Sequence, residues 1–234
     1  MRRETLQTLI EARAAGRAIV RACSLASGDE RLIDPSTDRS PFGLAAAEAA
    51  RADRSSATTI DGQEWFLSVF NPPLDLAIVG AVHIAQPLSR MAALAGYQVR
   101  VIDPRTAFAT AERFPGVSVT HAWPDEALAA APLGFRSAIV ALTHDPKLDD
   151  PALGAALASS CFYIGALGSK KTHAARLARL RELGFTDAQL SRIHGPVGLS
   201  IGAISPSEIA VSILAQMTQD LRTTTARDLS RAAS

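Results

Sequence analysis

Residues 74–82, LDLAIVGAV, followed by His83, constrain the fold more than any other stretch. They form an apolar run that ends in a glycine and opens into a helical pattern. That is how the first strand and turn of a nucleotide-binding βαβ unit read. Where a dinucleotide fingerprint has its second glycine, this chain has Val82.

Beyond this stretch the pattern is regular. Strands are expected at 74–80, 98–102, 117–121, 137–142 and 161–164. Helices are expected at 83–95, 125–131, 149–159, 171–183 and 208–221, the last behind the capping box Ser205-Pro206-Ser207-Glu208. Apolar strands alternating with amphipathic helices predict an α/β fold, a Rossmann-like parallel sheet flanked by helices on both faces. Right-handed crossovers bring the C-terminal ends of all strands to one rim.

Ahead of residue 73 the texture differs. A helix at 4–16, strands at 18–25 and 65–70, a polar loop at 26–39 and an alanine-rich helix at 44–51 suggest a small α+β domain. Asn71-Pro72-Pro73 punctuates its end. The expected organisation is a small α+β N-terminal domain over 1–72, a Rossmann-like domain over 73–222 and a fraying tail over 223–234.

Composition removes several function classes. A net charge of +1 and 5% aromatic residues give no signal for nucleic acid. No stretch reaches the ~18 apolar residues of a membrane span. Residues 1–17 lack a signal-peptide pattern, so the expected location is the cytoplasm. Cys23 and Cys161 stand far apart in apolar surroundings, the setting of buried thiols.

The rim gathers the candidate site residues. Gly80 and Asp103 have the spacing of a first turn and a second-strand acid that accepts from ribose hydroxyls, and Arg105 can meet a 2′-phosphate. The bland alternative is a plain turn and a loop acid. Residues 165–171, with Gly165, Gly168, Ser169, Lys170 and Lys171, form a second strand-to-helix turn. Its amides can bind an anion, and its lysines are otherwise merely solvated. Thr143, His144 and Asp145 close a strand with polar groups, and His83 opens the first helix within reach of the same rim. Asp145 and Asp149 are too few carboxylates for a metal site, and no metal is expected. His121, His173 and His194 read as surface or packing residues.

A set of ordered segments resembles the C-terminal Rossmann domain of the XdhC/CoxI family, accessory proteins of xanthine dehydrogenase and related molybdenum enzymes. The segments are Gly80-Ala81-Val82-His83-Ile84-Ala85, Asp103-Pro104-Arg105, Phe108-Ala109-Thr110 with Glu112-Arg113-Phe114-Pro115, and Thr143-His144-Asp145. They continue with Tyr163-Ile164-Gly165-Ala166-Leu167-Gly168-Ser169, Pro196-Val197-Gly198-Leu199 and Pro206 through Ile213. The chain departs from the family at Val82, where the family carries glycine, and in lacking an N-terminal glycine-rich segment with a cysteine.

The resemblance implies a non-catalytic maturation factor. Such a chain would bind the molybdenum cofactor, as molybdopterin or its dinucleotide form, and assist its insertion into a xanthine dehydrogenase-type molybdoenzyme. A cysteine desulfurase and a second copy of the chain are further candidate partners. The cofactor would lie against Gly80, Val82, His83, Asp103, Arg105, Thr143, His144, Asp145, Gly165, Gly168, Ser169 and Lys170. The βαβ pattern alone leaves an NAD(P)-dependent oxidoreductase as the alternative, and a ligand-free docking paralogue as a third reading.

Overall fold

The structure, a computed structural model, describes the backbone of residues 3–232 and the side chains of residues 3–223. The chain forms two compact units. One includes the residues up to Pro73, and the other is Leu74–Leu221.

The first unit contains α1 (Arg3–Ala14), β1 (Ile19–Ser24), β2 (Glu30–Ile33), α2 (Pro41–Ala52), β3 (Ser56–Ile60) and β4 (Gln63–Phe70). Its strands form an antiparallel sheet in the order β2-β1-β4-β3. Trp65 and Leu67 alternate with outward residues along β4 and pack with Phe42, Ala46 and Ala50 of α2. Ser40 starts α2 by accepting the Gly43 amide at 3.2 Å, with Pro41 in the first turn.

Two strands here go beyond the sequence reading. The predicted loop at 26–39 contains β2, a four-residue edge strand whose single fully buried side chain, Ile33, gives almost no periodic signal. The threonine-rich β3 is the other edge, paired to β4 across the turn at Asp61 and Gly62.

The second unit runs β5 (Leu74–Val79), α3 (Ala85–Leu94), β6 (Tyr97–Ile102), β7 (Ser118–Thr120), α4 (Pro124–Ala130) and β8 (Ser137–Ala141). It continues with α5 (Pro146–Ala158), β9 (Tyr163–Ala166), α6 (Lys170–Glu182), α7 (Asp187–Leu190), β10 (Ile193–His194) and the part of α8 (Pro206–Ala232) up to Leu221. The sheet order is β10-β9-β8-β5-β6-β7, and every pairing is parallel. In order of appearance this is 3-2-1-4-5-6, the doubly wound order, with its switch point between β5 and β8.

The apolar run of β5 serves both faces. Leu76 and Ile78 pack with Leu88, Val140, Ile213 and Met217 on one side. Ala77 and Val79 pack with Ile139, Leu153, Ile164 and Leu180 on the other. Glycine in the left-handed region follows α3 at Gly96 (φ 90°) and α6 at Gly184 (φ 95°), ending both helices.

Two boundaries are corrected. Helix α5 starts at Pro146, three residues before the expected 149, because the Asp145 side chain caps it by accepting the Lys147 amide at 3.0 Å. Helix α8 stays helical to Ala232, past the expected end at 221, since no glycine or proline follows Pro206. The expected tail thus falls partly on helical backbone, and residues 233–234 lie outside those described.

Candidate functional site

The first rim turn follows β5. Gly80 has φ 105°, and a Cβ there would come within 2.5 Å of the Thr143 Cγ2. Only glycine lets the β5 and β8 turns approach this closely. Val82 sits two residues on without left-handed backbone, half-buried against the core on the α3 side. The turn therefore needs one glycine, and a branched side chain is accommodated at 82. Helix α3 then begins without a side-chain cap, and His83 is exposed.

Asp103, at the end of β6, is fully buried. Its Oδ2 accepts the Ala81 amide at 2.8 Å and Arg105 Nη2 at 2.7 Å. Its Oδ1 accepts Arg105 Nε at 2.8 Å and the Arg105 amide at 3.0 Å. Four donors fill a carboxylate's usual acceptor sites. Burial pushes this carboxyl up, but the hydrogen bonds from Arg105 and Ala81 outweigh it and hold it below its ordinary value. The acid expected to accept from a ribose instead ties the β5 turn to the β6 turn. Arg105, 40% exposed, also lies over the Phe108 ring at 4.8 Å.

The second rim cluster joins β8, α5, β9 and α6. Thr143 is buried, and its hydroxyl donates to Asp149 Oδ1 at 2.5 Å and accepts the Asp145 amide at 3.2 Å. Asp149 Oδ2 accepts Arg176 Nη2 at 3.3 Å, and the same nitrogen donates to the Leu167 carbonyl at 2.8 Å. Burial raises the Asp149 carboxyl against the pull of Thr143 and Arg176. Hydrogen bonds to Asp103 raise Arg105 against its partial burial, and the charges of Asp103, Asp145 and Asp149 add to the rise, so the two clusters share one field.

The remaining expected residues divide. His144 and Asp145 are exposed at the start of α5. Ser169 caps α6 by accepting the Thr172 amide at 3.1 Å, and Lys170 and Lys171 are exposed in its first turn. Gly168 has φ 143°. Gly165 lies inside β9, where a Cβ would come within 2.6 Å of Val197 Cγ2, so it serves packing.

The sequence reading missed Arg176, and it weighed Asp149 only as a metal ligand, a role it set aside. Arg176 stands one turn before the buried Leu180, on the face of α6 where an amphipathic helix expects an apolar side chain, and that was the available signal. His194 is also more than a packing residue. It stacks on Tyr163 with centroids 5.0 Å apart and meets Asp220 at 2.6 Å. Tyr163 in turn donates to Gln216 Oε1 at 2.7 Å, which also accepts the Gly198 amide at 2.8 Å.

An open apolar trough of about 680 Å³ lies away from these groups, between α4 and α5, lined by Leu128, Pro132, Pro151 and Leu183 among others. Its polar side chains are the carboxylates of Asp125 and Asp150, and Asp150 is taken by Arg179, so the rim is the better candidate. Among the described residues no three His, Cys, Asp or Glu side chains gather as metal ligands, and no helix is long and apolar enough to cross a membrane.

A family model for the XdhC Rossmann domain matches residues 76–217. The chain belongs to the XdhC family. Among XdhC relatives it is 33% identical over 148 residues to a protein of Escherichia coli named molybdenum cofactor insertion chaperone PaoD, covering 63% of this chain and 40% of that one. It is 32% identical over 155 residues to a Bacillus subtilis protein named as a probable xanthine dehydrogenase component, covering 66% and 45%. A crystal structure described as a xanthine dehydrogenase from Bacillus halodurans aligns with a TM-score of 0.69 at 25% identity, over 94% of this chain and 65% of that one. The matched part of this XdhC chain thus spans less than half the length of these two curated relatives.

Proposed function

We propose that this XdhC chain is a maturation factor that holds the molybdenum cofactor at the rim of its parallel sheet and passes it to a xanthine dehydrogenase-type molybdoenzyme. The observation that carries the reading is the XdhC match across 76–217 together with the likeness to a cofactor insertion chaperone. The rim suits an anionic cargo. Lys170 and Lys171 are exposed at the start of α6, whose first turn has no acid, while Asp103 and Asp149 are each paired with an arginine. A carrier needs no bond-making group, and the reading assigns none. Cys161 is buried, and burial pushes its thiol up, so it is a poor sulfur acceptor. Sulfuration, where it occurs, falls to a partner such as a cysteine desulfurase.

The strand order favours a second reading, a nicotinamide-dependent oxidoreductase. Against it, Asp103 has no acceptor site left for a ribose hydroxyl.

Two assays on the purified chain test the choice. The chain loaded with molybdenum cofactor is expected to activate the cofactor-free form of a xanthine dehydrogenase-type enzyme, and failure to activate contradicts the insertion role. Titration with NADH and NADPH is expected to show no micromolar binding. Such binding accompanied by hydride transfer would replace the carrier reading with the oxidoreductase.

A further inference from the structure

Arg176 is 1% exposed, yet its Nε and Nη1 have no hydrogen-bond partner. A guanidinium carries five N–H bonds, and leaving some unpaired in the interior is costly. Asp149 does not meet the need. It makes one contact to Nη2 at 3.3 Å and spends its other oxygen on Thr143. The Nη2 bond to the Leu167 carbonyl places the guanidinium directly beneath the turn between β9 and α6.

That turn is itself suited to an anion. Helix α6 has 13 residues, so its first-turn amides carry the positive end of a full helix dipole. Ser169 Oγ takes the Thr172 amide. The first turn contains no acid and two exposed lysines, Lys170 and Lys171, which oppose the dipole. One turn before Arg176, the His173 Nδ1 is also buried without a partner, and burial together with the Arg176 charge pushes that imidazole below its ordinary value. A buried cation with spare donors, a helix start and two lysines thus converge. Among the described residues, Asp149 is the one carboxylate that the guanidinium meets.

We propose that the β9–α6 turn and Arg176 form an oxyanion site that takes a phosphate or diphosphate ester. This deepens the carrier reading, on which it rests, by naming the end of the cargo that is gripped. Arg176 Nε and Nη1 meet the anion from below, and the α6 amides with Lys170 and Lys171 meet it from the helix start. Both guanidinium nitrogens are covered, so the anion enters as the turn opens.

The test titrates the full chain with inorganic phosphate and with inorganic pyrophosphate by calorimetry. Saturable binding of either is expected, and binding of neither overturns the site. The paired substitution Arg176→Met with Asp149→Asn removes the guanidinium without stranding a buried carboxylate. In that variant, checked for native circular dichroism, at least a tenfold loss of affinity is expected, and unchanged affinity overturns the proposal. Should it not fold, Lys170→Glu with Lys171→Glu decides on the same criterion, since both side chains are exposed. The two readings fail separately. A chain that binds pyrophosphate through Arg176 but never carries the cofactor keeps the site and loses the carrier role. A chain whose folded variant retains the cofactor as well as the wild type does loses the site and keeps the role.

Discussion

Asp103 and Arg105 stand two residues apart, and their chemistry is spent on each other. The depressed carboxyl of Asp103 has a defined sign. Its contribution to stability is complete above the ordinary aspartate value near pH ~4 and is lost as pH falls through the lower folded value. Asp103→Asn is therefore expected to flatten the acid limb of a stability profile measured by urea unfolding. An acid limb as steep as the wild type's would contradict the network. Asp149 has the opposite sign, because burial raises its carboxyl. Its ionisation weakens the fold as pH rises from about 4 through its folded value. Sequence reading picked out Asp103, Arg105 and Thr143 as rim residues but assigned them outward roles. A one-dimensional pattern does not show that a carboxylate's acceptor sites are filled by an arginine two positions away and an amide 22 positions earlier.

At the scale of elements, the β5–α3 turn rests on one glycine. Gly80→Ala adds a Cβ against Thr143 and forces a side chain onto φ 105°, at a cost of about 2–4 kcal/mol. Val82→Gly removes a half-buried side chain and loosens the backbone, at about 1–2 kcal/mol. Chemical denaturation of the two variants is expected to rank them in that order, and the reverse order would contradict the turn geometry. The long apolar strands β5 and β8 and the punctuated helices α3 and α6 were legible because burial on two faces writes a continuous run. The short edges were not. Strand β10 has two residues and β2 has four, too few for any period to register, and pairing with a neighbour is what makes them strands.

At the scale of the molecule, the XdhC unit presents the ends of β5, β6, β8 and β9 on one rim, with a saturated acid on one side and an under-satisfied arginine on the other. That asymmetry suits a carrier that grips an anion and performs no chemistry on it. The most direct test is a mass spectrum of the small molecules retained by the chain purified from a cofactor-producing host, beside its Gly168→Val variant. Valine at 168 places a branched side chain against Thr172 at a backbone angle only glycine adopts readily. The wild type is expected to retain the molybdenum cofactor in roughly stoichiometric amount, and the variant, folded by circular dichroism, to retain little. A wild-type chain that carries none from such a host would contradict the carrier account.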